Sequence, residues 1–341
     1  MDTTDDNVTT YNITWDWSPD EHDTMFHHYM NILQKMMITL LSSILVLGII
    51  GNGLVIWISG FRMKNTISAV WFLHLAIADF LCCASLPLRI VQWTELSSFY
   101  VYISFCFCNI FLFYLNMTSS VLLLTAMSID RWVSVMWPFW AKVHRTPKLV
   151  RITAAIIWGL SLIVTGLVFF LYAFYLDDRS EWCLEITYTH PEFREMKETI
   201  QLIRLVIMCV IPFFIIFTSY VTIFYKLRKN KRSQRSQRSS RIITAVILCF
   251  FICWFPYYIW PITAIYVKDI IPFVIVNNII TSLACLNSCI NPIIYVFMGP
   301  DFQQCFFRSI PSRLEKVLSD HPNDLSREQE DLGNALQKFN K

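Results

Sequence analysis

The chain has 341 residues, of which 55% are hydrophobic and 16% charged, with a formal net charge of +3. Together with a mean hydropathy of +0.47, this composition excludes an ordinary soluble globule and points to a polytopic membrane protein. The small positive excess carries no nucleic-acid signal, because the basic residues gather in the loops between apolar runs.

Residues Met1 to Gln34 hold Asp2, Asp5, Asp6, Asp16, Asp20, Glu21 and Asp23 and no Lys or Arg. That predicts an acidic, largely disordered extracellular arm over residues 1–35. Asn7-Val8-Thr9 and Asn12-Ile13-Thr14 place glycosylation acceptors at Asn7 and Asn12, whereas Asn116-Met117-Thr118 fits the same pattern in mid-membrane and is rejected. Tyr11, set among acids, is a candidate for sulfation. No basic segment with a small-residue cleavage site precedes the first apolar run, so that run is expected to act as its own insertion signal.

Apolar runs follow at Met36 to Ser59, Ala69 to Val91, Cys106 to Arg131, Val150 to Leu171, Ile200 to Phe224, Ile242 to Val267 and Ile270 to Met298. Each is of spanning length, which predicts an all-α membrane protein, a seven-helix bundle over residues 36–300. Three basic clusters lie on one side of it: Arg62 with Lys64, then Lys142 to Lys148, then Lys226 to Arg241. The positive-inside rule makes that side cytoplasmic and puts the N-terminus outside. The polybasic run Lys226 to Arg241 also suits contact with anionic lipid. Residues 301–341 are expected inside, beginning with a short amphipathic helix over Asp301 to Arg308 along the inner leaflet, where Cys305 is a palmitoylation candidate.

Costly polar groups inside these runs are the functional signal. Asp79 is the sole carboxylate in the middle of a span, and Asn116 and Ser120, four residues apart, share one face of the third helix. Arg204 opens the fifth span and should face the bundle interior, where a guanidinium suits a carboxylate or carbonyl oxygen of a ligand. Phe113, Tyr114, Tyr257, Tyr258, Asn277 and Thr281 are its expected surroundings, with Arg89 a second anion contact and Glu185 a loop acid that could pair with Arg204 instead. Pro256 in the sixth helix and Pro292 in the seventh each remove a backbone hydrogen bond. Most of the eleven cysteines lie in apolar runs as packed hydrophobes. Cys106 and Cys183 fall in the oxidising compartment and are the expected disulfide, with Cys108 a rival for Cys106 on nearly the opposite helix face.

Taken in order, Gly51-Asn52, Leu75 to Asp79, Asp130-Arg131, Trp158, Pro212 with Tyr220, Cys253-Trp254-Phe255-Pro256 and Asn291-Pro292-Ile293-Ile294-Tyr295 resemble the rhodopsin-like G-protein-coupled receptors. Met136-Trp137-Pro138-Phe139-Trp140, His144-Arg145-Thr146, Arg204 and Val296 to Phe302 look like that family's chemoattractant branch, which holds formyl-peptide, complement-anaphylatoxin and chemerin-like receptors. The resemblance implies a receptor for an extracellular peptide or protein ligand that couples to a heterotrimeric G protein of inhibitory type, with arrestin and a receptor kinase as further partners. It implies a sodium ion as the one accessory group, held by Asp79, Asn116, Ser120, Asn287 and Ser288. The activation switch would comprise Trp254, Pro256, Asn291, Pro292 and Tyr295. G-protein coupling would fall to Asp130, Arg131, Pro138 and Tyr220, with Asp130 holding Arg131 at rest.

Three departures bear on those expectations. Trp132 stands where the branch carries Cys or Tyr after Asp-Arg, Phe99-Tyr100-Val101-Tyr102 replaces a Trp-x-Phe-Gly motif, and Tyr114 and Ile200 occupy positions that are acidic and Arg in formyl-peptide receptors. Formyl-methionine recognition is therefore disfavoured. A decoy receptor and a receptor for a lipid mediator stay open as alternatives. An enzyme lacks its nucleophile, phosphate loop and metal motif, and a transporter lacks inverted repeats.

Overall fold

The computed structural model describes residues 21–63, 66–92, 99–175, 191–229, 234–263 and 270–298. Helix α1 (Glu21–Trp57) continues through a π turn, Ile58–Arg62, and is followed by α2 (Ile67–Gln92) and α3 (Phe99–Met136). A short α4 (Pro138–His144) leads to α5 (Pro147–Tyr175). The fifth span joins α6 (Pro191–Leu205) to α7 (Ile211–Lys229) through a second π turn, Val206–Val210. Helices α8 (Gln234–Thr263) and α9 (Ile270–Met298) complete the bundle. Every described element is helical, as expected where lipid leaves no outside partner for backbone amides.

Six stretches in these helices are long and apolar enough to cross a membrane, and α9, with 29 residues, stands seventh in order. Two boundaries differ from expectation. Helix α1 starts at Glu21, inside the stretch expected to be disordered, because nothing between Glu21 and Met36 is Gly or Pro and a spanning helix extends outward at little nucleation cost. Likewise α6 starts at Pro191, a favoured first helical residue, so Arg204 lies in the last turn of α6 rather than near the start of the fifth helix. The tip of the acidic arm, the sequons at Asn7 and Asn12, Cys183, Glu185 and the segment from 299 onward with Cys305 lie outside the described residues.

The helices are inside-out relative to a soluble core. On α5, Ile152, Ile156, Leu160, Ile163, Leu167 and Phe170 are exposed at helical spacing, while Ala154, Ile157, Ser161 and Thr165 are buried. The apolar stripe therefore meets lipid and the small or polar one packs inward. Small residues also bring α1 against its neighbours. A Cβ added to Gly48 would lie 2.2 Å from Cys83 Sγ, and one on Gly51 would lie 3.0 Å from Pro292 Cβ. At this close approach Asn52 Nδ2 donates to the carbonyls of Gly48 (3.0 Å) and Ser288 (2.8 Å), tying α1 to α9. On the fourth span, Trp158 Nε1 donates to His74 Nδ1 of α2 at 3.3 Å.

Candidate functional site

The outer layer is built on Arg204. The side chain is buried, at 8% exposure, and its Nη1 donates to the Tyr114 hydroxyl at 2.6 Å. Its guanidinium lies 5.1 Å from the Tyr114 ring centroid and 5.5 Å from that of Tyr257. Two aromatic faces thus offset part of the cost of holding a cation at this depth. Rings then run inward: Phe113 lies 5.0 Å from Tyr257 and 5.1 Å from Trp254. Trp254 touches Phe250 in turn, at 5.9 Å. Tyr258 is fully buried beside this stack.

Other expected pocket residues form a separate group on α9. Asn277 accepts from Trp260 Nε1 at 3.1 Å, and Thr281 Oγ1 donates to the Asn277 carbonyl at 2.7 Å. Arg89 Nη2 donates to Asn278 Oδ1 at 3.2 Å, so Arg89 bridges α2 and α9 rather than joining Arg204. Trp260 and Asn278 were not singled out from sequence. The adjacent amides Asn277-Asn278 inside an apolar run were the signal available.

The middle layer centres on Asp79, which is fully buried. Asn116 Nδ2 donates to its Oδ1 at 3.1 Å and Asn291 Nδ2 to its Oδ2 at 2.8 Å. Ser120 Oγ, Ser288 Oγ, Asn116 Oδ1, Asn291 Oδ1 and both amide atoms of Asn287 are buried without a protein hydrogen-bond partner. Buried polar atoms with no protein partner require water or an ion. Pro292, one residue beyond Asn291, is buried against Gly51.

The inner layer departs from expectation. Asp130 does not hold Arg131: Arg145 takes both its oxygens, Nε donating to Oδ1 at 2.6 Å and Nη2 to Oδ2 at 2.5 Å. Arg131 Nη2 donates instead to Ser68 Oγ on α2 at 2.6 Å. Arg145 reaches back from beyond α4 to take the carboxylate, and Arg131 is left to Ser68. Pro138 starts α4, which buries Ala141 and leaves Phe139, Trp140 and Val143 exposed. Tyr220 packs, partly buried, against the core, and the Tyr295 ring lies 4.4 Å from that of Phe72. Trp132, the unusual residue after Asp-Arg, makes an edge contact with Trp137 at 4.8 Å.

Comparison with known proteins places this geometry. The family described as "7 transmembrane receptor (rhodopsin family)" matches residues 51–295. Formyl peptide receptor 2 of Mus musculus is 32% identical, covering 86% of this chain and 88% of the relative. The C3a anaphylatoxin chemotactic receptor of Danio rerio is 32% identical over 96% and 89%, and C5a anaphylatoxin chemotactic receptor 1 of Homo sapiens 32% over 81% and 80%.

Proposed function

Because the chain belongs to the rhodopsin family of seven-transmembrane receptors, we propose that it receives a chemoattractant-type peptide or protein at the cell surface. It is a multi-pass membrane receptor rather than an enzyme, and receptors of its family take an extracellular ligand and couple to a G protein. The finer reading is a plasma-membrane receptor with its N-terminus outside, which binds the terminus of a peptide at Arg204 and signals through an inhibitory-type G protein. The names of its relatives, receptors for formyl peptides, C3a and C5a, support the ligand class.

The observation that carries the reading is the buried guanidinium of Arg204 capping a ring stack that runs inward to Trp254. A ligand carboxylate is a stronger partner for that cation than the neutral Tyr114 hydroxyl. Its arrival would shift Tyr114 and Tyr257, and with them Phe113 and Trp254, two residues before Pro256 in α8. Helix α8 would then turn about Pro256 and open the inner surface near Arg131, Tyr220 and Tyr295. Ligand and G protein would each bias one equilibrium, which is what coupling between the two faces requires. The acidic arm would steer a basic protein ligand, an effect on association rate.

The donor set around Asp79 fits a sodium ion: one carboxylate, amide oxygens from Asn116, Asn287 and Asn291, hydroxyls from Ser120 and Ser288, and no soft ligand among them. Those residues would hold the ion, and its charge would favour the resting packing. Arrestin, a receptor kinase and anionic lipid at the basic inner loops complete the proposed partners. The test is a panel of chemoattractant peptides, each with a free or amidated C-terminus, and lipid mediators, read by nucleotide exchange on a purified G protein. Response to a free-acid peptide supports the reading. Binding without exchange indicates a decoy, and a response confined to lipids overturns it.

A further inference from the structure

The bond pattern at the inner end of α3 has a functional consequence. Both oxygens of Asp130 are engaged by Arg145, and the two side chains are only 11% and 19% exposed. A two-pronged guanidinium–carboxylate pair in partly buried surroundings holds firmly. Arg131 is held by much less. Its described acceptor is one neutral hydroxyl, Ser68 Oγ, and its Nε is buried without an acceptor. Arg131 also feels two opposing charges, repulsion from the Arg145 guanidinium and attraction from the Asp130 carboxylate.

Arg145 is well placed to stay where it is. Its backbone N–H donates to the Ala141 carbonyl at 3.0 Å, as Ala141 does to Trp137 and Trp137 to Val133, each at 2.9 Å. An unbroken run of backbone bonds therefore leads from α3 through α4 to Arg145.

We infer that Arg145 is a positioning residue for signalling: by occupying Asp130 it keeps Arg131 detached from its neighbour and available to the G protein. This rests on the proposed receptor function. Without Arg145, the carboxylate of Asp130 loses the cation that compensates it and is left with the attraction of Arg131. That arginine then folds back and is withheld. The direction is distinctive, since removing a cation from the inner surface lowers activity by creating a lock rather than by breaking one.

The test uses agonist-free, detergent-purified receptor in four forms: wild type, Arg145→Ala, Arg145→Lys and the double variant Arg145→Ala/Asp130→Asn. Labelling of Arg131 with an arginine-selective dicarbonyl, followed by peptide mass spectrometry, reads its freedom without any G protein. Basal nucleotide exchange on a purified heterotrimer reads the consequence. In Arg145→Ala both readouts are expected to fall at least about fivefold, within the usual range of site-to-site coupling. Arg145→Lys, which makes one bond where arginine makes two, should fall between, and the double variant should recover because no carboxylate remains to capture Arg131. Labelling in Arg145→Ala at or above wild type overturns the inference. So does a double variant no better than Arg145→Ala, the result of a purely loop-bracing role. A wild-type receptor that drives no exchange, even with ligand, counts against the G-protein reading, while the labelling still decides the placement of Arg131.

Discussion

Asn291 on α9 donates to the carboxylate of Asp79 on α2 at 2.8 Å, joining residues 212 positions apart in sequence. Asn116 on α3 takes the other oxygen, so one buried carboxylate fixes three helices at mid-membrane depth. Oxygen atoms of Ser120, Asn116 and Asn291 around it have no protein partner. If they serve a sodium ion, sodium stabilises the resting receptor by mass action. Replacing choline chloride with sodium chloride should raise Tm by about 2–4 °C in wild type and leave Asp79→Asn unchanged. Equal shifts in the two proteins remove the ion from the site.

Arg204 bears on ligand chemistry. Its bond to Tyr114 and its two aromatic contacts hold a cation in place for an anionic terminus. Arg204→Ala should lower the potency of a free-acid peptide agonist by about a hundredfold, the scale of a desolvated charge pair, and leave its amidated form little changed. Tyr114→Phe removes the competing hydroxyl and should keep or improve free-acid potency. Dose–response curves for nucleotide exchange decide both, and a free-acid potency within about threefold of wild type in Arg204→Ala rejects the assignment.

Helix α1 makes a steric prediction that is independent of ligand. A methyl group on Gly48 would lie 2.2 Å from Cys83 Sγ and 3.3 Å from Cys289 Sγ, whereas one on Gly159 meets nothing within 4 Å. Gly48→Ala should therefore destabilise by about 1–3 kcal/mol, as overpacking does. Gly159→Ala should not. Thermal unfolding of the detergent-purified proteins compares them directly, and Cys83→Ala should relieve much of the Gly48→Ala defect.

What could be read before any coordinates follows from the cost of polarity in lipid. Asp79, Asn116 and Asn291 had to find partners, and they found one another; the apolar runs had to be helices, and they are. Contacts set by side-chain direction rather than by burial were not legible. Adjacency made Asp130 look like the partner of Arg131, yet a loop arginine fifteen residues on outcompetes it for the carboxylate. In the same way nothing in the sequence showed that Arg89 would bond Asn278 and Arg204 would bond Tyr114. The start of α1 was missed because acidic composition says little about a helix that can grow outward from a buried one.

Cys106 and Cys108 lie two residues apart on α3, and sequence alone left them as rivals. Cys106 is buried and disulfide-bonded, while Cys108 is an exposed free thiol. The helical turn of about 200° between them accounts for the division, because a loop cysteine can meet only one of the two faces. The partner of Cys106, expected at Cys183, lies outside the described residues. Cys106→Ser should lose about 2–5 kcal/mol, the usual cost of removing a native disulfide, and with it most surface expression. Cys108→Ser should express and unfold like wild type, and reductant should lower the Tm of wild type and Cys108→Ser but not of Cys106→Ser. A Cys108→Ser receptor that fails to reach the surface, with Cys106→Ser unaffected, would reverse the assignment.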